Sequence, residues 1–228
     1  MQRFILTFFT LCFFCSIHAQ NNIDQKLKAE LDSIYKLDQT YRELLSSNLL
    51  QTKADSIAAV YKVPVNELVL YLINSNNKID SSNMARIVQI IDQYGYPGKT
   101  LVGEPTNEAA ISVIQHSQFI DKYLPIIEKA ALKKEFSFAL YARMLDRSLM
   151  YNGKEQLYGT QGKGFQAINA QTGKKEFTMI IWPIKEPAAV NQRRKEAGFT
   201  DTVEENAKRM GIAYKIITLE EFKKMQAQ

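Results

Sequence analysis

The stretch SFALYARMLDRSLMYNGKEQLYGTQGKGFQAI, residues 137–168, decides the fold. Its first half has helical spacing. Leu140, Met144 and Tyr151 share a stripe with Arg147, and Ala139, Ala142 and Leu149 share the neighbouring stripe with Asp146. A helix that is apolar nearly all round belongs in the interior. The spacing therefore predicts a central helix over Ser137–Tyr151, ended by Gly153. Four of the ten glycines fall between Gly153 and Gly164, and the residues from Phe165 onward are β-rich. A central helix that passes into a glycine turn and a strand makes the class α+β, predominantly α-helical. The expected architecture is a helical bundle with a small β-hairpin or sheet in the C-terminal third, at about 165–184.

Asp146 and Arg147 are the odd members of that helix. Adjacent charges on a central helix are costly unless they are paired or serve a site. As neighbours they point about 100° apart and so call for different partners. A structural and a functional reading of the pair both stand.

Upstream the chain reads as helices. Leu27, Leu31, Ile34, Tyr41 and Leu45 follow steps of three and four, and the position that completes the series is Asp38. Arg42 is one turn away, where it could pair with Asp38 at the edge of the core. A second helix is expected over Thr52–Tyr61 and a third from Pro64, with a polar break at Asn74–Asn77. Ser81 or Ser82 would cap a fourth, stopped at Gly95, followed by an ordered loop to Gly103. Pro105 would open a helix whose stripe Ala109, Val113, His116 and Ile120 carries a histidine beside Gln115, and Pro125 would open another running to about Lys134.

Downstream, Phe165–Ile168 and Phe177–Ile181 would pair around a loop that includes Gly173, with Pro183 at the end of the second strand. Val190–Ala197 reads as a short helix in which only one of Arg193 and Arg194 can face inward. Thr202–Glu205 and Thr218–Glu221 fit capping boxes, and Ile212–Ile217 between them reads as a strand.

The first nineteen residues read as a signal peptide. One Arg precedes an apolar run from Phe4 to Cys15, shorter than the ~20 residues a membrane span needs, and Ile17-His18-Ala19 suits cleavage after Ala19. The mature chain, 20–228, would then be a single exported domain, periplasmic or secreted, with no membrane association after cleavage; the alternative is that the run is retained as an anchor. Cys12, Cys15 and His18 leave with the leader, so His116 is the sole imidazole and a disulfide framework or Cys/His metal site is excluded by count. The net charge of +5 falls to +4 without Arg3. Acids are interspersed among the bases, and no Lys/Arg block with aromatics points to nucleic acid. No cofactor is implied, and the oligomeric state is open.

The tracts Asp38-Gln39-x-x-Arg42, Gly95-Tyr96-Pro97, Val102-Gly103, Gln115-His116, Asp146-Arg147 and Gln156-Leu157-Tyr158-Gly159-Thr160-Gln161 resemble a bacterial family of unknown function marked by a Tyr-Gly-Thr-Gln segment. The resemblance runs from about Leu31 to Gly198. This chain has Gly-Tyr-Pro where the family tends to have Gly-Trp-Pro, and Thr52–Asn77 reads as extra length. The resemblance implies candidate positions and no chemistry.

These positions suggest one polar pocket. Gln115, His116, Asp146, Arg147, Gln156, Tyr158, Gly159, Thr160 and Gln161 would meet in it, with Asp38 and Arg42 behind and Arg193 or Arg194 at the rim. Arg147 could hold an anion in a fixed fork. His116 could act as general acid or base, and the glycine-rich backbone could present N–H groups. Three functions follow: binding of a small polar or anionic ligand, a hydrolase or transferase built on His116 and Arg147, or a buried network with a purely structural role.

Overall fold

Asp24 starts the first helix by accepting the Leu27 amide at 2.9 Å, and the stripe Leu27, Leu31, Ile34, Asp38 is buried along its whole length. The structure, a computed structural model, describes residues 23–168 and 172–226. The proposed leader lies outside the described residues. Ten α-helices and one antiparallel hairpin are described: α1 Gln25–Leu44, α2 Ser47–Tyr61, α3 Val65–Tyr94, α4 Lys99–Val102, α5 Ala109–Ile114, α6 Ile120–Leu132, α7 Phe138–Tyr151, β1 Gly162–Ile168, β2 Lys175–Ile181, α8 Val190–Glu196, α9 Val203–Arg209 and α10 Leu219–Gln226. The α+β, mostly helical class and the hairpin in the C-terminal third are as expected. No single described helix is long and apolar enough to cross a membrane.

Several boundaries differ from expectation. The polar break at Asn74–Asn77 does not exist, because α3 runs unbroken for 30 residues. Asn and Ser lower helix propensity by only about half a kcal/mol each, and no Gly or Pro interrupts the buried series Leu68, Leu72, Asn76, Met84, Ile87, Ile91. Ser81 and Ser82 are therefore interior residues, not caps. Pro64 is the N-cap residue of α3, and α2 begins five residues before Thr52. The loop before Gly103 contains α4. The helix expected to carry His116 stops at Ile114, where Ser117 Oγ donates to the Ile114 carbonyl at 2.9 Å. His116 thus sits in the turn between α5 and α6. Pro125 does not open α6 but lies inside it, since apolar residues on both sides of the proline, Ile120, Tyr123 and Ile127, are all buried.

The main core joins α1, α3, α5, α6 and α7 through Leu31, Ile87, Ile90, Ile114, Ile127 and Met144. The helix α2 covers α3 through Ile57, Ala58, Leu68 and Leu72. Residues of α7 also enter the C-terminal clusters: Ala142 packs with Ala197 and Phe199, and Met150 packs against Ile180, Trp182 and Phe222. No residue of α7 before Tyr151 is exposed, as its all-round apolar pattern requires.

The strands β1 and β2 pair antiparallel from Gly162↔Ile181 to Ile168↔Lys175, longer than expected at the glycine end. Gly162 and Gly164 are strand residues, and a Cβ on Gly164 would fall 2.5 Å from the Phe177 ring. The segment 212–217 is not a strand, having no ladder partner. Both capping boxes form: Thr202 with Glu205, and Thr218 with Glu221.

Candidate functional site

Asp38 is fully buried on α1, where a carboxylate must find donors. It accepts from Gln39 Nε2 at 2.7 Å and from Arg42 Nη2 at 3.4 Å. The same Arg42 nitrogen donates to Asp80 Oδ1 of α3 at 2.5 Å, and Asn76 Nδ2 donates to Asp80 Oδ2 at 3.0 Å. This chain of charges ties α1 to the middle of α3 and fixes the Asp80 carboxylate. Asp80 forms part of the wall of a cleft of about 300 Å³ between α3 and the turn at 115–119. Its other lining groups include Asn77, Ser81, His116, Ser117 and Phe119.

His116 is exposed, yet it stands among four charges. Desolvation by the surrounding protein pushes its pKa below the usual 6.5. The Arg42 guanidinium adds to this, Asp38 opposes it, and Arg147 and Asp80 act in opposite senses more weakly. The imidazole is therefore neutral at pH 7, with an acceptor nitrogen. Arg147 Nη1 donates to the Gln115 carbonyl at 3.3 Å. Among the described residues Arg147 has no carboxylate partner.

The second group of predicted residues lies on the other side of α7. Asp146 is fully buried. Its Oδ1 accepts from the amides of Leu157 at 2.7 Å and Tyr158 at 3.0 Å. Its Oδ2 accepts from the Thr160 amide at 3.0 Å and hydroxyl at 2.9 Å. Burial pushes this carboxyl above its ordinary pKa, and the loop donors pull against that shift. Gln156, also fully buried, accepts from the Gln161 amide at 2.9 Å and donates to the Gln161 and Trp182 carbonyls at 3.0 and 2.7 Å. Gln161 Nε2 reaches the Arg143 carbonyl at 3.3 Å.

The outer side of the loop is held by α8 and α9. Arg193 Nε donates to the Leu157 carbonyl at 3.0 Å, and Arg194 Nη1 donates to the Tyr158 carbonyl at 2.8 Å. Asn206 Nδ2 donates to the Gly159 carbonyl at 2.9 Å. Gly159 adopts φ +66°, and a Cβ there would fall 2.5 Å from Val203 Cγ2. Its close approach is to the protein's own core. Burial, and after it the Asp146 charge, raise the pKa of the Tyr158 phenol, whose ring packs 6.0 Å from Phe199.

The sequence-derived constellation is thus two groups rather than one. Asp38, Arg42 and Arg147 surround His116 electrostatically, with Gln115 beside it, and of these five His116 lines the cleft. Asp146, Gln156, Tyr158, Gly159, Thr160, Gln161, Arg193 and Arg194 form a closed knot. The loop amides expected to face a ligand face Asp146, because a buried carboxylate competes for them at short range. Arg193 and Arg194 both anchor the loop, and Arg194 is the inward one of the two. Asp80, Asn76, Asp201 and Asn206 were missed. Asn76 and Asp80 continue the stripe Leu72, Asn76, Asp80, Met84 in steps of four, the same signal that singles out Asp38. Among the described residues no three His, Cys, Asp or Glu side chains converge as metal ligands would.

A family of unknown function, DUF6624, matches residues 44–218. The matched residues include all of 52–77 and begin after Asp38 and Arg42. No curated protein and no solved structure matches the chain.

Proposed function

Because the chain belongs to the family of unknown function DUF6624, its role has to be read from its own geometry, and we propose that it binds a small polar ligand in the cleft between α3 and the 115–119 turn. One observation carries this reading. A partly buried ion network, Asp38–Arg42–Asp80–Asn76, holds a carboxylate at the wall of an open cleft that also displays a neutral imidazole. Fixed polar groups in a cavity of this size are what small-ligand recognition uses. Asn77, Ser81 and Ser117 add neutral donors and acceptors, and Phe119 and Met84 add apolar surface. That mixture suits a hydroxyl- or amide-bearing molecule better than a bare anion, since among the described residues the wall carries the Asp80 carboxylate and no lysine or arginine.

A second reading has one observation in its favour. The lowered pKa of His116 keeps an unprotonated nitrogen at the cleft near neutral pH, as a general base requires. The leader-like run Phe4–Cys15 supports export of the protein, and N-terminal sequencing of secreted material would locate the cleavage.

The test is a thermal-shift screen of the mature protein with monosaccharides, disaccharides, amino acids and nucleosides. A stabilising compound should lose its effect with His116→Gln and with Ser81→Ala. If stabilisation survives both substitutions, the cleft is not its site.

A further inference from the structure

A cluster of guanidinium groups lies beside the knot, and of its members only Arg194 also holds the loop, through the Tyr158 carbonyl. Arg194 and Arg209 share the carboxylate of Asp201, and Arg143 and Arg194 lie over the Phe199 ring. Arg194 Nη2 donates to Asp201 Oδ1 at 2.5 Å. Arg209 Nη2 stands 3.1 Å from Oδ2 as an ion pair, and it also donates to Asn206 Oδ1 at 2.6 Å. Arg143 of α7 is left over. Its guanidinium carbon lies 5.1 Å from the Phe199 ring centroid, and that of Arg194 lies 4.5 Å from the same centroid. Among the described residues no carboxylate pairs with Arg143.

Arg143 is half-buried, and this is what makes it informative. A solvated arginine needs no partner. One that has lost part of its hydration, next to two further guanidiniums and one occupied carboxylate, is electrostatically unfavourable as it stands. Desolvation, and after it the Arg209 and Arg194 charges, act against its protonated form, while the Asp201 and Asp146 carboxylates pull the other way and the net shift is downward. A purely structural residue at this position would be served better by an uncharged side chain of similar volume. The planar fork of Arg143 and the half-exposed Arg209 instead present an array of N–H donors that matches a multi-oxygen anion.

We propose that Arg143 and Arg209, backed by Arg194, form a binding site for a phosphoryl oxyanion, distinct from the cleft at His116. The phosphoryl group would supply the direct anionic partner that Arg143 lacks among the described residues. A phosphorylated small molecule is the ligand class, and its uncharged portion lies outside the arginine cluster. Arg147, one turn along α7, is engaged elsewhere, donating to the Gln115 carbonyl.

The experiment is calorimetric titration of the mature protein with inorganic phosphate at low ionic strength, with acetate as the carboxylate control. Saturable phosphate binding is expected, with acetate weaker. Arg143→Gln and Arg209→Gln should each weaken phosphate binding about tenfold or more, the usual weight of a charge-assisted hydrogen bond. His116→Gln should leave it unchanged, which separates this site from the cleft reading. No saturable phosphate binding to the wild type, or equal binding by both arginine variants, overturns the proposal. Melting of Arg143→Met without phosphate provides an independent arm. An unchanged or raised Tm is expected once the unmatched cation is removed. A clear drop in Tm would make Arg143 a structural prop of Phe199 and overturn the proposal.

Discussion

Asp38 and Asp146 are both carboxylates of zero exposure on apolar helix stripes, yet they organise opposite kinds of region. Asp146 gathers donors from its own loop, and that loop is closed from outside by Arg193, Arg194 and Asn206. Asp38 instead passes its charge through Arg42 to Asp80, whose carboxylate ends at an open wall. The lesson concerns partners rather than burial. A buried charge met by backbone amides makes a rigid turn, because amide donors are short, numerous and fixed. A buried charge met by a long side chain can place a second charge at the surface.

The largest expected effect is Asp146→Ala. It strips the Leu157, Tyr158 and Thr160 amides of their acceptor inside the protein. Chemical denaturation should show a loss on the order of 3–5 kcal/mol. A small loss would mean that water serves these amides and that the knot is not closed. Gly159→Ala comes next, at about 2–3 kcal/mol, because φ is positive and the methyl group would strike Val203 and Ile184. Asp38→Asn should cost less, about 1–2 kcal/mol, since the amide can keep a partner in Gln39 or Arg42. It should also weaken any cleft ligand by freeing Arg42 and Asp80 to move.

The smallest effect is a pH dependence. The folded-state pKa of His116 lies below its unfolded value of 6.5. The unfolded chain therefore binds more protons between the two values. The His116 contribution is complete above 6.5 and is lost as pH falls through the depressed folded value. Melting curves of His116→Gln should match wild type at pH 8 and fall less steeply with acid. Equal slopes would show that the imidazole is not held neutral.

The two regions also differed in how legible they were from sequence. Helical period exposed both anomalies, Asp38 and Asp146, because an acid in an apolar stripe is visible in one chain. The 100° between Asp146 and Arg147 already implied separate partners, and Arg147 does turn to Gln115 while Asp146 turns to the loop. The period could not show which long-range partner each acid takes. Asp80 was passed over, because the break read at Asn74–Asn77 hid a stripe that continues through that segment. His116 was placed on a helix that ends two residues earlier. Its apparent stripe came from joining α5 to α6 across a turn that Ser117 closes through a side-chain hydrogen bond. The glycines of 159–164 read either as ligand approach or as a turn into the hairpin, and close packing was not visible in the sequence. Only the positions of Val203 and Phe177, distant in sequence, decide for packing.

Native-state hydrogen exchange compares the two regions in one measurement. The amides of Leu157, Tyr158 and Thr160 should exchange only through global unfolding, while those of Gln118 and Phe119 at the cleft exchange through local motion. Equal, rapid exchange at both would contradict the division of the polar residues into a closed knot and an open cleft.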